Sequence, residues 1–453
     1  MKHPHTLTLA SLTLCLLASQ AQAAVPADQA ARLGADLTPV GAQKAGNADG
    51  SIPAWTGGLP TNAGKADENG FLADPFASEK PLFVITASTA AQYKDKLTAG
   101  QLALFARYPD SYRIPVYPSH RTVGLPDKSL AATRLNATDT QLIAGGNGLA
   151  QYHPGAVPFP IPKDGLEVIW NLIGRYRGDT LKRIVMQASP QANGDFTPNV
   201  LKQELAYPTG LSDYDPKAMS NILSLYREEF LSPARMAGGV LLVHETVDQI
   251  KEPREAWLYN AGQRRVRRAP QIAYDSPAAE GLRTYDDFDL FNGAPDRFDW
   301  KLVGKQELYI PYNSYRLESP AYKYSDIVKP GHINQDLTRY ELHRVWHLTA
   351  TLKPGERHIY SRRDIYIDED SWQGAETEAY DGRGTLWRVA EGHANFFYDV
   401  KVPSFAAEVH YDLLSGRYAV NSLHNEEKNA YHFNLPMSGN DFTPSALRVT
   451  GIR

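Results

Sequence analysis

The residues of this sequence able to do chemistry are mainly histidines, arginines and carboxylates, and their spacing limits what they can do. His343 and His347 lie four apart, which on a helix would bring two imidazoles to one zinc ion. The stretch around them alternates instead. Tyr340, Leu342, Trp346, Leu348, Ala350 and Leu352 are apolar, while Glu341, His343, His347, Thr349 and Thr351 are polar. On such a strand the two histidines share a face but stand about 13 Å apart, at roughly 3.3 Å per residue, too far to share a metal. They read as exposed strand residues, and no metal is expected.

Arg344 falls in the apolar phase of this strand, between Leu342 and Trp346, and Arg363 does likewise between Ile359 and Ile365. A buried guanidinium is costly unless it is paired. Two arrangements satisfy both arginines: an internal carboxylate for each, or a polar-lined cavity that takes a ligand with an anionic head and an apolar body. Trp300, Tyr340, Trp346, Leu348 and Trp387 are then either core or the wall of that pocket. These seven residues are the candidate ligand-binding set.

Arg264, Arg265, Arg267 and Arg268 form a basic run that could meet phospholipid or nucleic acid. Asp286, Asp287 and Asp289 follow closely and offer bidentate partners, so intramolecular ion pairing is expected there. There is no G-x-S-x-G elbow, no phosphate-binding G-x-x-x-x-G-K-[ST] and no dinucleotide fingerprint. No catalytic residue and no cofactor is assigned.

The elements that must position these residues are mostly strands. From about residue 179 onward, period-2 patterning dominates. Trp300 to Ile310, Tyr340 to Leu352 and Phe405 to Leu413 alternate, and Ser415-Gly416 turns the last into Tyr418 and Val420. Helical spacing is brief. Ala90 to Tyr108 predicts one helix, and Leu166, Ile169, Trp170 and Ile173 predict another, behind a capping box at Asp164-Gly165-Leu166-Glu167. Met219, Ile222, Leu223, Tyr226 and Phe230 predict a third, stopped by Ser232-Pro233. The expected fold is mainly β with α: a large curved antiparallel sheet or half-open barrel, its concave face covered by helices.

The N-terminus reads as an export signal: Lys2, an apolar stretch from Leu7 to Ala18, then Ala21-Gln22-Ala23 for cleavage. Cys15 is the only cysteine and lies inside that stretch without a lipobox, so no disulfide is expected in the mature chain. The expected organisation is a signal peptide at 1–23, an extended arm at 24–85, a helical and loop segment at 86–160 and a β domain at 161–453. With 47 basic against 51 acidic residues the balance is mild, and nucleic acid is not an expected partner.

Several stretches together resemble one family, the domain-of-unknown-function 1329 (DUF1329) proteins of Gram-negative bacteria. They include Asp49-Gly50-Ser51-Ile52-Pro53-Ala54-Trp55-Thr56-Gly57-Gly58, Pro158-Phe159-Pro160-Ile161-Pro162 and Arg175-Tyr176-Arg177-Gly178. Ala256-Trp257-Leu258-Tyr259-Asn260, Phe291-Asn292-Gly293, Tyr340-Glu341-Leu342-His343-Arg344-Val345-Trp346 and Asp368-Glu369-Asp370-Ser371-Trp372 continue the match. The resemblance implies a fold similar to the Lol lipoprotein carriers (LolA and LolB), an open half-barrel with a lid of helices. It also implies a periplasmic location and the handling of a lipid or other hydrophobic compound beside outer-membrane or efflux-type transporters. The family has no established catalytic residues. The leading expectation is a periplasmic carrier or chaperone for a hydrophobic ligand. The alternatives are a non-catalytic accessory protein binding an outer-membrane β-barrel, or an enzyme without a recognisable motif.

Overall fold

In the computed structural model, which describes residues 25–450 apart from 271 and 273, one sheet of sixteen strands carries the molecule. The expected signal peptide lies outside the described residues. In chain order the strands are β1 (Phe83–Thr86), β2 (Arg113–Val116), β3 (Thr180–Ala188), β4 (Asn199–Ala206), β5 (Ile222–Ser232), β6 (Val240–Thr246), β7 (Glu255–Asn260) and β8 (Arg265–Arg268). They continue with β9 (Phe298–Pro311), β10 (Tyr340–Leu352), β11 (Arg362–Asp368), β12 (Gly374–Tyr380), β13 (Leu386–Phe397), β14 (Val402–Asp412), β15 (Arg417–Leu423) and β16 (Tyr431–Phe433).

Two antiparallel meanders make up most of the sheet. In the first, β3 to β8, each strand pairs with the next. The second runs the same way from β9 to β15. They join where β15 meets β3, and β16 occupies the rest of that edge of β3. The hairpin β1–β2 adds to β10 through a parallel pairing, Tyr340 with Val116. The sheet is therefore mixed rather than wholly antiparallel, and it begins at Phe83 rather than at 161. Its end strands, β1 and β8, do not pair with each other, so it does not close into a barrel.

Cross-strand register defines the faces. Ile365, Thr377, Ala390, His410 and Ala419 stand side by side on one face. Leu290 packs there on Ala390 and Phe405. The Gly165–Gly174 helix clusters with Leu348 and Ile365, which pair across β10 and β11. Asp164 caps that helix by accepting from the Glu167 amide at 3.0 Å. A Cβ on Gly165 would stand 2.7 Å from the Trp300 carbonyl oxygen, so glycine is required where the helix touches β9.

On the opposite face Thr98 caps the Ala99–Arg107 helix and donates to Glu376, while the Gly100 amide donates to Glu378 at 2.7 Å. Helices thus cover both faces, not the concave one alone. The expected Ala90–Tyr108 helix is split, with a 3-10 turn at Ala90–Lys96 preceding the α-helix. The helix expected from Met219 to Phe230 is instead strand β5. Pairing with β4 and β6 on its two edges overrides a spacing that fits i, i+3 and i+4. The arm is extended and tied across the body: Trp55 donates to the Val123 carbonyl at 2.9 Å and Trp372 to the Val40 carbonyl at 2.9 Å.

Candidate functional site

The seven residues singled out from the sequence all lie in the second meander and do not converge on one site. Arg344 meets Glu369 at 3.3 Å and Glu307 at 3.6 Å, and donates to the Ala45 carbonyl of the arm at 3.1 Å. Arg363 meets Asp286 at 2.7 Å and Asp287 at 3.3 Å. Of the two arrangements open to these arginines, both adopt the internal carboxylate. Burial opposes charge on Asp286, but Arg363 and His358 outweigh it and hold its carboxyl below the usual range.

The apolar candidates have ordinary partners. Tyr340 donates to Glu391 at 2.7 Å, Trp300 to the Pro295 carbonyl at 2.8 Å, and Trp387 to Asp412 at 3.0 Å. Trp346 stacks on Trp372 with centroids 5.8 Å apart, and Leu348 is fully buried.

Two further expectations need correction. His343 is buried, stacked on Tyr312 at 3.9 Å and bonded to Glu341 at 3.1 Å, while His347 is partly buried against Asp364. Neither is an exposed strand residue, because the sheet is covered on this face too. The acids expected to pair with the basic run are also taken elsewhere: Asp286 and Asp287 by Arg363, Asp289 by Arg175 and Arg177 at 2.6 Å each. The run itself lies on the exposed edge strand β8, where Arg268 pairs with Glu255. Among the described residues, ligand atoms of His343, Asp368 and Asp370 lie within 4.8 Å of one another, close enough to hold a metal. Arg121 already takes both Asp370 oxygens, at 2.7 and 2.8 Å, so a guanidinium supplies the cation there.

The first meander is different. Its alternating residues on the Ala390 face line a part-open cavity of about 200 Å³. Strand β3 contributes Arg183 and Val185, β4 Leu201, Gln203 and Leu205, β5 Tyr226, Glu228 and Phe230, and β6 Leu241, Val243 and Glu245. Register places them together: Val185 pairs with Leu201, Leu201 with Phe230, Leu205 with Tyr226, and Tyr226 with Val243. The segment 278–292 roofs the cavity through Arg283, Tyr285, Phe288 and Asn292. A second chamber of about 60 Å³ shares Arg177, Arg183, Gln203, Leu205, Tyr226 and Phe288 and extends beneath Val402 to Phe405.

The cavity's polar groups form two small networks. Arg183 donates to Gln203 at 2.7 Å, and Gln203 donates to Glu228 at 2.8 Å. Tyr226 also donates to Glu228, at 2.5 Å. Burial and the Glu228 charge push the Tyr226 phenol well above its usual range, so it keeps its proton and remains a donor. In the second network Arg254 pairs with Glu245 at 2.8 Å and donates to the Asn292 carbonyl at 2.7 Å, fixing one end of the roof. Sequence reasoning passed over this site. Arg183 stands in phase with Leu181 and Val185, the same signal that picked out Arg344 and Arg363, but Ile184 and Met186 make the other phase apolar too. Arg283 lies outside the strands of the sheet and gives no periodic signal.

An open, mainly β sheet with a ligand-sized cavity on one face is the class of protein that fold and site define. A family profile described as "Protein of unknown function (DUF1329)" matches residues 84–448, and the chain belongs to that family. It is 63% identical over 444 residues to an uncharacterized protein of Pseudomonas aeruginosa (PA3922), covering 98% of this chain and 97% of that protein. Among solved structures it is similar to a DUF1329 family protein from Desulfovibrio piger, with 14% identity and a TM-score of 0.42 over 60% of this chain and 92% of that one. It is also similar to a LolA superfamily protein from Nitrosomonas europaea, with 11% identity and a TM-score of 0.36 over 62% and 98%. Among the described residues no helix is long and apolar enough to cross a membrane.

Proposed function

We propose that the protein is a periplasmic carrier or chaperone that holds a lipid or other hydrophobic molecule in the first-meander cavity and exchanges it with a membrane transport partner. The observation that carries this reading is the cavity itself. Leu201, Leu205, Phe230, Leu241 and Val243 line this volume and turn apolar surface toward it. Close-packed interiors leave few voids of this size, and a void forfeits the contacts of every side chain lining it. An apolar ligand restores those contacts. The export-signal reading of residues 1–23 supports the location.

Native mass spectrometry of the protein purified gently from its own periplasm tests the proposal. A bound apolar molecule is expected, released on denaturation and absent from a Ser224→Phe variant, whose ring occupies the cavity. Wild-type protein that carries no such molecule, and takes up no neutral hydrophobic probe, would overturn it.

A further inference from the structure

The arginines facing the cavity are not evenly matched by carboxylates. Arg177 has Asp289 at 2.6 Å, and Arg254 has Glu245 at 2.8 Å. Among the described residues Arg183 and Arg283 have no carboxylate within the 4.0 Å range of an ion pair. Arg183 donates only to neutral groups, the Gln203 amide oxygen at 2.7 Å and the Tyr431 hydroxyl at 3.4 Å. Arg283 is 9% exposed; it donates to the Thr284 carbonyl at 3.2 Å, and its Nε has no partner. The one remaining cavity carboxylate, Glu228, is held by neutral donors, Gln203 and Tyr226.

The two guanidinium groups face Glu228, which neither touches, and Arg183 also faces Glu408 across the smaller chamber without contact, so neither cation is closed off by an acid. Elsewhere in this molecule buried arginines are closed off by acids, as Arg363 is by Asp286 and Asp287. A buried cation without a partner is costly, and an anionic group from outside removes that cost. The rest of the wall is apolar, so the anion must come attached to an apolar body.

Resting on the carrier reading, we infer that the cavity takes an anionic amphiphile. Its carboxylate or phosphate head lies at Arg183 and Arg283, and its apolar body lies along Leu201, Leu205, Phe230 and Val243. Guanidinium forks match either head bidentately.

Displacement of neutral N-phenyl-1-naphthylamine from the mature protein at pH 7.5 by decanoate, decyl phosphate and decanol tests this. At least one anion should bind about tenfold or more tightly than decanol, and the tighter of the two identifies the head. The double variant Arg183→Gln with Arg283→Gln should lose that preference while decanol binding stays unchanged. Should the double variant fail to melt cooperatively, Glu228→Gln gives the independent reading: removing the competing carboxylate should tighten decanoate or decyl phosphate severalfold. Equal binding of decanol and both anions to the wild type overturns the inference while leaving the carrier reading intact. So does a preference that survives the double variant, or an affinity unmoved by Glu228→Gln. Failure of the neutral probe to bind at all removes the carrier reading as well.

Discussion

On the face covered by residues 278–292, the second meander is filled around Arg363 and Ala390. Arg363 is closed off by Asp286 and Asp287, and Leu290 sits on Ala390 and Phe405. The first meander lies beneath the same covering segment and lines a part-open cavity of about 200 Å³. One short stretch of chain thus plugs one half of the sheet and roofs the other. In the plugged half an inward arginine is a structural element whose charge is matched at short range. In the hollow half Arg183 and Arg283 stand without acids. An arginine in apolar strand phase therefore does not mark a binding site by itself; the cavity proposed here adds a lack of ion pairing and incomplete packing.

This contrast can be broken most directly at the arginines. Arg363→Ala should destabilise the fold by about 3–5 kcal/mol in a denaturant melt, because it strands Asp286 and Asp287 in the interior. Arg183→Gln should cost less than about 1 kcal/mol, since no acid loses its partner. Equal costs would erase the distinction between the halves. Truncations of equal size sharpen the contrast from the apolar side. Leu348→Ala, in the filled half, should cost about 2–5 kcal/mol, and Leu205→Ala, on the cavity wall, about 1 kcal/mol, because its side chain already faces unfilled space.

The smallest expected effect is on pH dependence. Burial pushes Glu391 up to about 7 and Glu318 up to about 8, whereas burial lowers His393 to about 3 and His424 to about 4. The raised carboxylates bind more protons folded than unfolded, so their contribution is present at acid pH and lost as pH climbs through 7 and 8. The histidines act oppositely, gaining stability as pH rises from about 3 to their unfolded value of 6.5. Above 6.5 only the carboxylates act. Denaturant midpoints should therefore correspond to a loss of about 1–2 kcal/mol between pH 6.5 and 8, and Glu318→Gln should flatten the slope. A midpoint that rises over this interval would contradict the assignment.

The second meander was legible because its strands alternate cleanly. Tyr340 to Leu352 and Phe405 to Leu413 show one polar and one apolar phase, and both are strands. The first meander was harder to read. Strand β5 places partly buried residues on both faces, so its apolar positions also fit a helical period. Capping chemistry located the Gly165–Gly174 helix because a cap is local. The partners of Arg344 and Arg363 were not legible. Glu369 and Asp286 reach them through sheet register and loop placement, which no spacing along the chain encodes. The same holds for the cavity, a property of how five strands and a roof meet.

The junction between the meanders has a consequence for hydrogen exchange. β15 and β3 register at two pairs, Val420 with Ala188 and Leu423 with Met186, and between them Ser422 takes a left-handed conformation, φ 73°. In a ladder so thin few backbone bonds need break together, so local opening should cost less there than within either meander. Amides of 186–188 and 420–423 should therefore lose protection before those of 388–392, which lie deep in the second meander. Asn421 and Ser422 also form part of the cavity wall. Opening along this line would widen access to the cavity while both meanders stay folded, which would give the proposed carrier a release route that needs neither a hinge nor movement of the roof.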